Sequence, residues 1–267
     1  MELLGYTGAI LMGLSLGLIG GGGSILTVPI LVYLFSIDAV LATAYSLFIV
    51  GATSLIGSFS HMKMGNIHWR TAIVFGMPSI ASVFLTRAFV VPAMPQRLID
   101  LNGWVLSKPT GLIVLFALIM VLAAYSMIRK SKPSSRALSP DSAEPSFNYP
   151  LILLEGIIVG TITGLVGAGG GFLIIPALVI LAKLPMKQAV GTSLVIIAAK
   201  SLLGFMGDLR GDETIDWGFL LTFTAIAAVG IVFGSMLSKR ISGEKLKPAF
   251  GWFVLIMGTY ILIKELL

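Results

Sequence analysis

GLIGGGGSILTVP, residues 17–29, is the stretch on which the fold turns. Four consecutive glycines, Gly20, Gly21, Gly22 and Gly23, interrupt a segment otherwise apolar enough to be a membrane helix. Each glycine costs roughly 1 kcal/mol against alanine in a helix interior, so the run predicts a helix break. In a bilayer, irregular backbone is tolerated only where protein buries it or it lines a wet cavity. A second copy, GLVGAGGGFLIIP at 164–176, carries Gly169, Gly170 and Gly171. Broken helices at matching positions of two halves point to a transporter's substrate site.

Composition fixes the solvent. Of 267 residues 57% are hydrophobic and 11% charged, and the mean hydropathy is +1.00. A water-soluble domain carries about 25% charge, so the chain reads as an all-α polytopic membrane protein. The formal charge of +6 follows from the positive-inside bias of membrane proteins and calls for no nucleic-acid partner. With no cysteine, thiolate catalysis and Cys-ligated metals are excluded. The N-terminal MELLGY lacks the basic region of a signal peptide, so the first apolar segment is expected to remain.

Apolar runs long enough to cross a bilayer, about 20 residues, fall at roughly 3–36, 39–60, 70–91, 104–128, 150–182, 186–206, 217–238 and 247–267. Trp69, Trp104, Trp217 and Trp252 lie near the ends of these runs, as an aromatic belt requires. Residues 129–149, RKSKPSSRALSPDSAEPSFNY, read as a flexible linker between a membrane unit at 1–128 and a second at 150–267. The units are copies. Positions 13–31 and 160–178 are identical at nine of nineteen sites, and the same shift of 147 pairs Ala42/Ala189, Ser46/Ser193, Ser54/Ser201 and Gly57/Gly204. With one further residue inserted, Ile67 and Trp69 meet Ile215 and Trp217.

Charge decides how the copies are arranged. If each glycine-broken run crosses once, Lys and Arg divide eight on the linker side against nine opposite. If each run turns back at its glycines, the division becomes twelve against five, Lys200 being intramembrane. The positive-inside rule therefore predicts two inverted repeats, each beginning with a glycine-broken helical hairpin followed by three spanning helices, with the linker cytoplasmic. Beyond each apex a new helix is expected near Ser24 or Thr27 and near Phe172 or Ile174, presenting unpaired amides and the positive end of its dipole. Facing each other, two such ends would hold a small anion.

Other polar residues extend this candidate site. Lys200 is the only lysine deep inside an apolar run, and an intramembrane charge is a functional hypothesis by default. It would pair with a substrate anion or snorkel to an interface; its repeat counterpart is Thr53. Ser46, Thr192 and Ser193 are candidate ligand donors at helical spacing, although membrane hydroxyls commonly bond their own helix. Glu155 is a candidate for a coupling proton. Gly13, Gly17, Gly160, Gly164, Gly230 and Gly234 form GxxxG patterns that permit close helix packing. GLSLG (13–17) matches GxSxG, but in a membrane helix rather than a strand-to-helix elbow. The glycine runs lack the flanking βαβ unit and GK[ST] ending of a nucleotide loop. No catalytic residue, cofactor or metal site is predicted.

GLIGGGGSILTVPIL and GLVGAGGGFLIIPALVI, followed by ATAYSLFIVGATSLIGSFSHMKMGNIHW and AVGTSLVIIAAKSLLGFMGDLRGDETIDW, resemble the TauE/SafE family, also called the sulfite exporter or TSUP family. The resemblance covers nearly the whole chain outside the linker. It implies a multi-pass inner-membrane transporter of sulfur-containing anions such as sulfite, sulfoacetate or other organosulfonates, with export favoured. Two departures bear on the substrate: Ala44-Tyr45-Ser46 stands where the second half has Gly191-Thr192-Ser193, and Lys200 is unusual at its position. The reading is a secondary transporter using alternating access, driven by protons or by the anion's own gradient. A passive anion channel and a non-transporting scaffold subunit stay open as alternatives, as does a homodimer.

Overall fold

Asp38 and Asp216 show how local chemistry starts the long helices. In the computed structural model Asp38 Oδ1 accepts from the amides of Val40 (2.8 Å) and Leu41, and Asp216 Oδ1 from Phe219 (3.0 Å). Both are side-chain caps for otherwise unpaired first-turn amides. The structure describes residues 2–101, 104–128, 149–167, 169–180, 182, 184–209, 215–238 and 243–266. The expected linker lies outside them, apart from Tyr149.

The elements run α1 (Glu2–Ile19), a 3₁₀ turn (Gly21–Leu26), α2 (Thr27–Leu34), α3 (Ala39–Lys63) and α4 (Trp69–Leu85). The last continues through a π turn (Thr86–Val90) into the short α5 (Val91–Ala93). Strands β1 (Arg97–Leu101) and β2 (Trp104–Ser107) precede α6 (Lys108–Ile128). The second half holds α7 (Tyr149–Val166), α8 (Gly171–Ile180), α9 (Met186–Asp208), α10 (Trp217–Leu237) and α11 (Gly243–Leu266). Among the described residues four helical spans are long and apolar enough to cross a membrane: Ala39–Lys63, Trp69–Ala93, Met186–Asp208 and Trp217–Leu237.

The polytopic all-helical expectation holds with one local correction. The apolar run expected from residue 104 begins as a strand, antiparallel to β1, and turns helical only at Lys108. Trp104 and Val105 favour extended backbone, and Pro109 suits a first helical turn.

The first glycine run does turn the chain back. Gly5 faces the Phe35 ring, Gly8 faces Ile30, and Gly23 lies against Met12 and Leu16. Sequence numbers rise on one side as they fall on the other, so α1 and α2 form an antiparallel hairpin. The remaining directions follow from the same kind of register. Gly13 meets Ala227 and Gly17 meets Ile231 and Gly234, so α1 and α10 run parallel. Gly156 meets Phe75 and Pro78 while Gly164 meets Val83 and Thr86, so α7 and α4 run parallel too. Helices α3 and α9 cross in opposite directions: Gly51 meets Leu202, Gly57 meets Leu194, and Gly191 meets His61 and Asn66. These small residues bring backbones together as the GxxxG reading expects.

Burial is inverted relative to a soluble protein. Leu3, Ile73, Leu122 and Ile256 are each more than 60% exposed, whereas Arg87 and Lys200 are among the largest fully buried side chains. An apolar exterior suits lipid. The polar groups inside must be accounted for by the site.

Candidate functional site

The two glycine elbows meet. A Cβ built on Gly21 would overlap the backbone of Gly171, and one on Gly171 would overlap Gly21. Only glycine permits that approach. Gly20 (φ 77°) ends α1, and Gly167, Gly169 and Gly170 (φ 74°, 65° and 62°) carry the chain from α7 to α8. Positive φ is the region that favours glycine. The new helices start at Thr27 and Gly171, the second slightly earlier than expected. Pro29 is the third residue of α2, where a missing amide costs little.

Helices α3 and α9 hold the elbows from either side. Gly20 lies beside Val190 and Ser193, Gly167 beside Thr43, and Gly169 between Val50 and Ile197. The backbones of Gly21 and Gly171 fill the space directly between the elbows, so nothing fits between them in this conformation. A guest must lie to one side. Gly23 packs back on Met12 and Ser15, and Ser24, fully buried, donates its hydroxyl to the Gly21 carbonyl at 2.6 Å. Gly22 stays within the 3₁₀ turn.

The second elbow carries the charge. Lys200 is 0% exposed, and its Nζ donates to Thr163 Oγ1 at 3.0 Å. The same Nζ stands 2.7 Å from where a Gly170 Cβ would be, with Thr163 on the same spot. An ammonium has three donors; among the described residues one is engaged, by a neutral hydroxyl, and no carboxylate pairs with it. Immediately beyond Gly170, α8 begins at Gly171 and presents its free amides and positive dipole end. Ammonium, hydroxyl and helix terminus converge on one flank of the contact.

The hydroxyl candidates divide. Ser46 is fully buried with no hydrogen-bond partner among the described residues. Ser193 bonds the Val190 carbonyl at 2.8 Å while standing 3.2 Å from the Gly20 Cβ position. Thr192 instead accepts the His68 amide at 2.9 Å, at the start of α4. Tyr45, its counterpart, accepts the Asp216 amide at 2.7 Å, at the start of α10. The departure Ala44-Tyr45-Ser46 therefore keeps one structural role with a different side chain. Glu155, half-buried, is not brought to the elbows: it precedes Thr163 by two turns of α7, ~12 Å along the axis. Thr163 and Thr43 escaped the sequence reading. Thr163 lies in GTITG, whose glycines carried the only signal, one of packing.

A family model for the sulfite exporter TauE/SafE matches residues 6–261. The chain belongs to the TauE/SafE family. Curated relatives agree. A "probable membrane transporter protein" of Xylella fastidiosa strain 9a5c is 29% identical over 258 residues, covering 94% of this chain and 91% of that protein. Proteins of the same printed description from Methanocaldococcus jannaschii and Bacillus subtilis are 28% and 26% identical, covering 95% and 94% of this chain and 94% and 96% of their own lengths. No solved structure matches the chain. This TauE/SafE member is a membrane transporter, and its paired elbows are the one place where broken helices meet a buried unpaired cation among the described residues.

Proposed function

We infer that the protein is a secondary transporter, working as an exporter, for a small sulfur-containing anion such as sulfite, sulfoacetate or another organosulfonate. It acts across the inner membrane, with residues 129–149 on the cytoplasmic side. One observation carries the reading: a fully buried lysine, Lys200, donates to a neutral threonine beside a glycine elbow and has no counter-carboxylate among the described residues. A charge in that setting is costly, and an anion would offset the cost. The anion binds on the Gly169–Gly170–Gly171 flank, held by Lys200, Thr163 and the first amides of α8. Ser193 flanks the first elbow at Gly20, where the 3₁₀ turn leading into α2 offers its first amides, and Ser46, buried and unpartnered among the described residues, is a further donor.

The two units form inverted repeats about this site. Counterpart helices α3 and α9 cross in opposite directions. Helices α1 and α7 run parallel to α10 and α4, which are counterparts of each other and hold the Trp217 and Trp69 ends. These registers support the inversion, as the charge division does. Opening the two ends alternately past the touching elbows then gives alternating access, driven by protons or by the anion's gradient.

The test is uptake into proteoliposomes of sulfite, sulfate, sulfoacetate and a neutral control, with and without a pH gradient. Saturable flux of at least one sulfur anion, with counterflow, is expected. Flux no faster than the neutral control rejects the reading. Flux that stays linear with concentration and lacks counterflow replaces the carrier with a channel.

A further inference from the structure

Two turns beyond Lys200 on the same stripe of α9 lies a second buried charge cluster. Positions 200, 204, 207 and 208 recur at helical spacing. Along this stripe Gly204 receives Val83, and Gly207 receives Arg87 at the π turn that follows α4. π turns are rare and gather at functional sites. Arg87 is fully buried, and among the described residues its one hydrogen bond runs from Nη1 to Asp208 Oδ1 at 3.4 Å. That is long for a charge-assisted contact, which is usually nearer 2.8 Å. Nε, Nη2 and the other carboxylate oxygen, Asp208 Oδ2, have no partner among the described residues.

The pattern of what is free is specific. Nε–H and Nη2–H form the side-on fork of the guanidinium, the edge that takes two oxygens of one oxyanion at once. A strong structural ion pair would fill this fork with both carboxylate oxygens. Among the described residues nothing fills it, and Asp208 holds only the third nitrogen. Lys108, which follows β2, is engaged by backbone: its Nζ donates to the Val91 carbonyl at 2.6 Å. Neither acid nor carbonyl satisfies the fork among the described residues, although leaving a buried charge so poorly partnered is expensive.

We propose that Arg87 is a second oxyanion-binding residue, holding the transported anion through its Nε/Nη2 fork on the way between Lys200 and the membrane face opposite the linker. Asp208 is the resident placeholder. It keeps the guanidinium in position between arrivals and is displaced from Nη1 when the anion engages the fork. The repeat does not reproduce this Arg–Asp pair in either half. Shifting Arg87 by 148 residues gives Ser235, and shifting Asp208 back by 147 gives His61. The inference rests on the anion-transport reading but concerns a different residue, whose partner Asp208 lies ~12 Å along α9 from Lys200.

The experiment uses the full chain and sulfite as the probe, with chloride as control. Two quantities are measured in wild type, Arg87→Lys, Asp208→Asn and Lys200→Met. One is the sulfite concentration giving half-maximal protection against thermal unfolding in detergent. The other is the half-saturating concentration and maximal rate of sulfite entry from the linker-distal face. Arg87→Lys keeps the charge but loses the fork, so half-saturation should rise about tenfold with the maximal rate nearly unchanged. Asp208→Asn removes the competitor, so half-saturation should fall. Half-saturation within twofold of wild type in both variants, each folded, overturns the proposal. A loss of transport confined to Lys200→Met would then leave the central site standing alone. If sulfite neither protects nor crosses in wild type, both inferences fail together.

Discussion

The two elbows of this transporter share a backbone design and differ in charge. Each ends its first helix at a positive-φ glycine, Gly20 or Gly167. Each touches the other through a second glycine, Gly21 or Gly171, and leans on α3 or α9. The matching hydroxyls, Tyr45 and Thr192, each accept a backbone amide at the start of a helix from the other half's register. Yet where the second half has Lys200 reaching Thr163, the first has Thr53, whose hydroxyl bonds the Ile49 carbonyl of its own helix at 2.6 Å. The difference teaches that backbone geometry makes the cradle twice, whereas the cation is supplied once. Repetition accounts for the shape, and the charge is where the halves part.

The shared backbone of the elbows is the most sensitive to change. Gly21→Ala should cost about 3 kcal/mol of stability, because a methyl there meets main chain that cannot step aside. Gly76→Ala, with only Ile196 at 3.8 Å, should be neutral or stabilising by up to about 1 kcal/mol; denaturant unfolding in detergent measures both. Next in size is the cation. Lys200→Met should lower sulfite flux about a hundredfold, the consequence of losing ~3 kcal/mol of charge-assisted binding. The protein should stay folded, since an apolar replacement of a buried charge is often tolerated. Thr53→Val, at the matching position, should leave the initial flux rate unaltered within error.

Smaller effects sharpen the equivalence of the caps. Thr192→Val and Tyr45→Phe should each cost about 1 kcal/mol by stranding one backbone amide, with half-saturation for sulfite preserved. A large affinity change in Thr192→Val alone, seen in the same flux assay, would return Thr192 to the binding site. Smallest of all, Glu155→Gln should leave the pH-gradient dependence of flux unaltered, given its distance from Thr163 along α7. Loss of that dependence would make Glu155 the coupling group instead.

Much of this was legible in the chain because glycine runs and their repetition have few physical explanations inside an apolar helix. Gly20–Gly23 and Gly169–Gly171 were visible as breaks, and Lys200 as a charge out of place. Thr163 was not, because a hydroxyl within GTITG has no distinguishing periodicity. The engagement of Thr192 by His68 was equally hidden, since it joins residues 124 apart in sequence. Arg87 and Asp208 carry no motif, and only their meeting across 121 positions makes them a cluster.

The sequence by itself determined the solvent, the breaks and the family, because hydropathy, glycine content and repeated spacing are properties of the chain. Tertiary structure alone decided that Gly21 and Gly171 touch, closing the gap between the elbows and leaving the flank at Lys200. Which groups face one another depends on helix directions and crossings, set by backbone contact among elements far apart along the polymer.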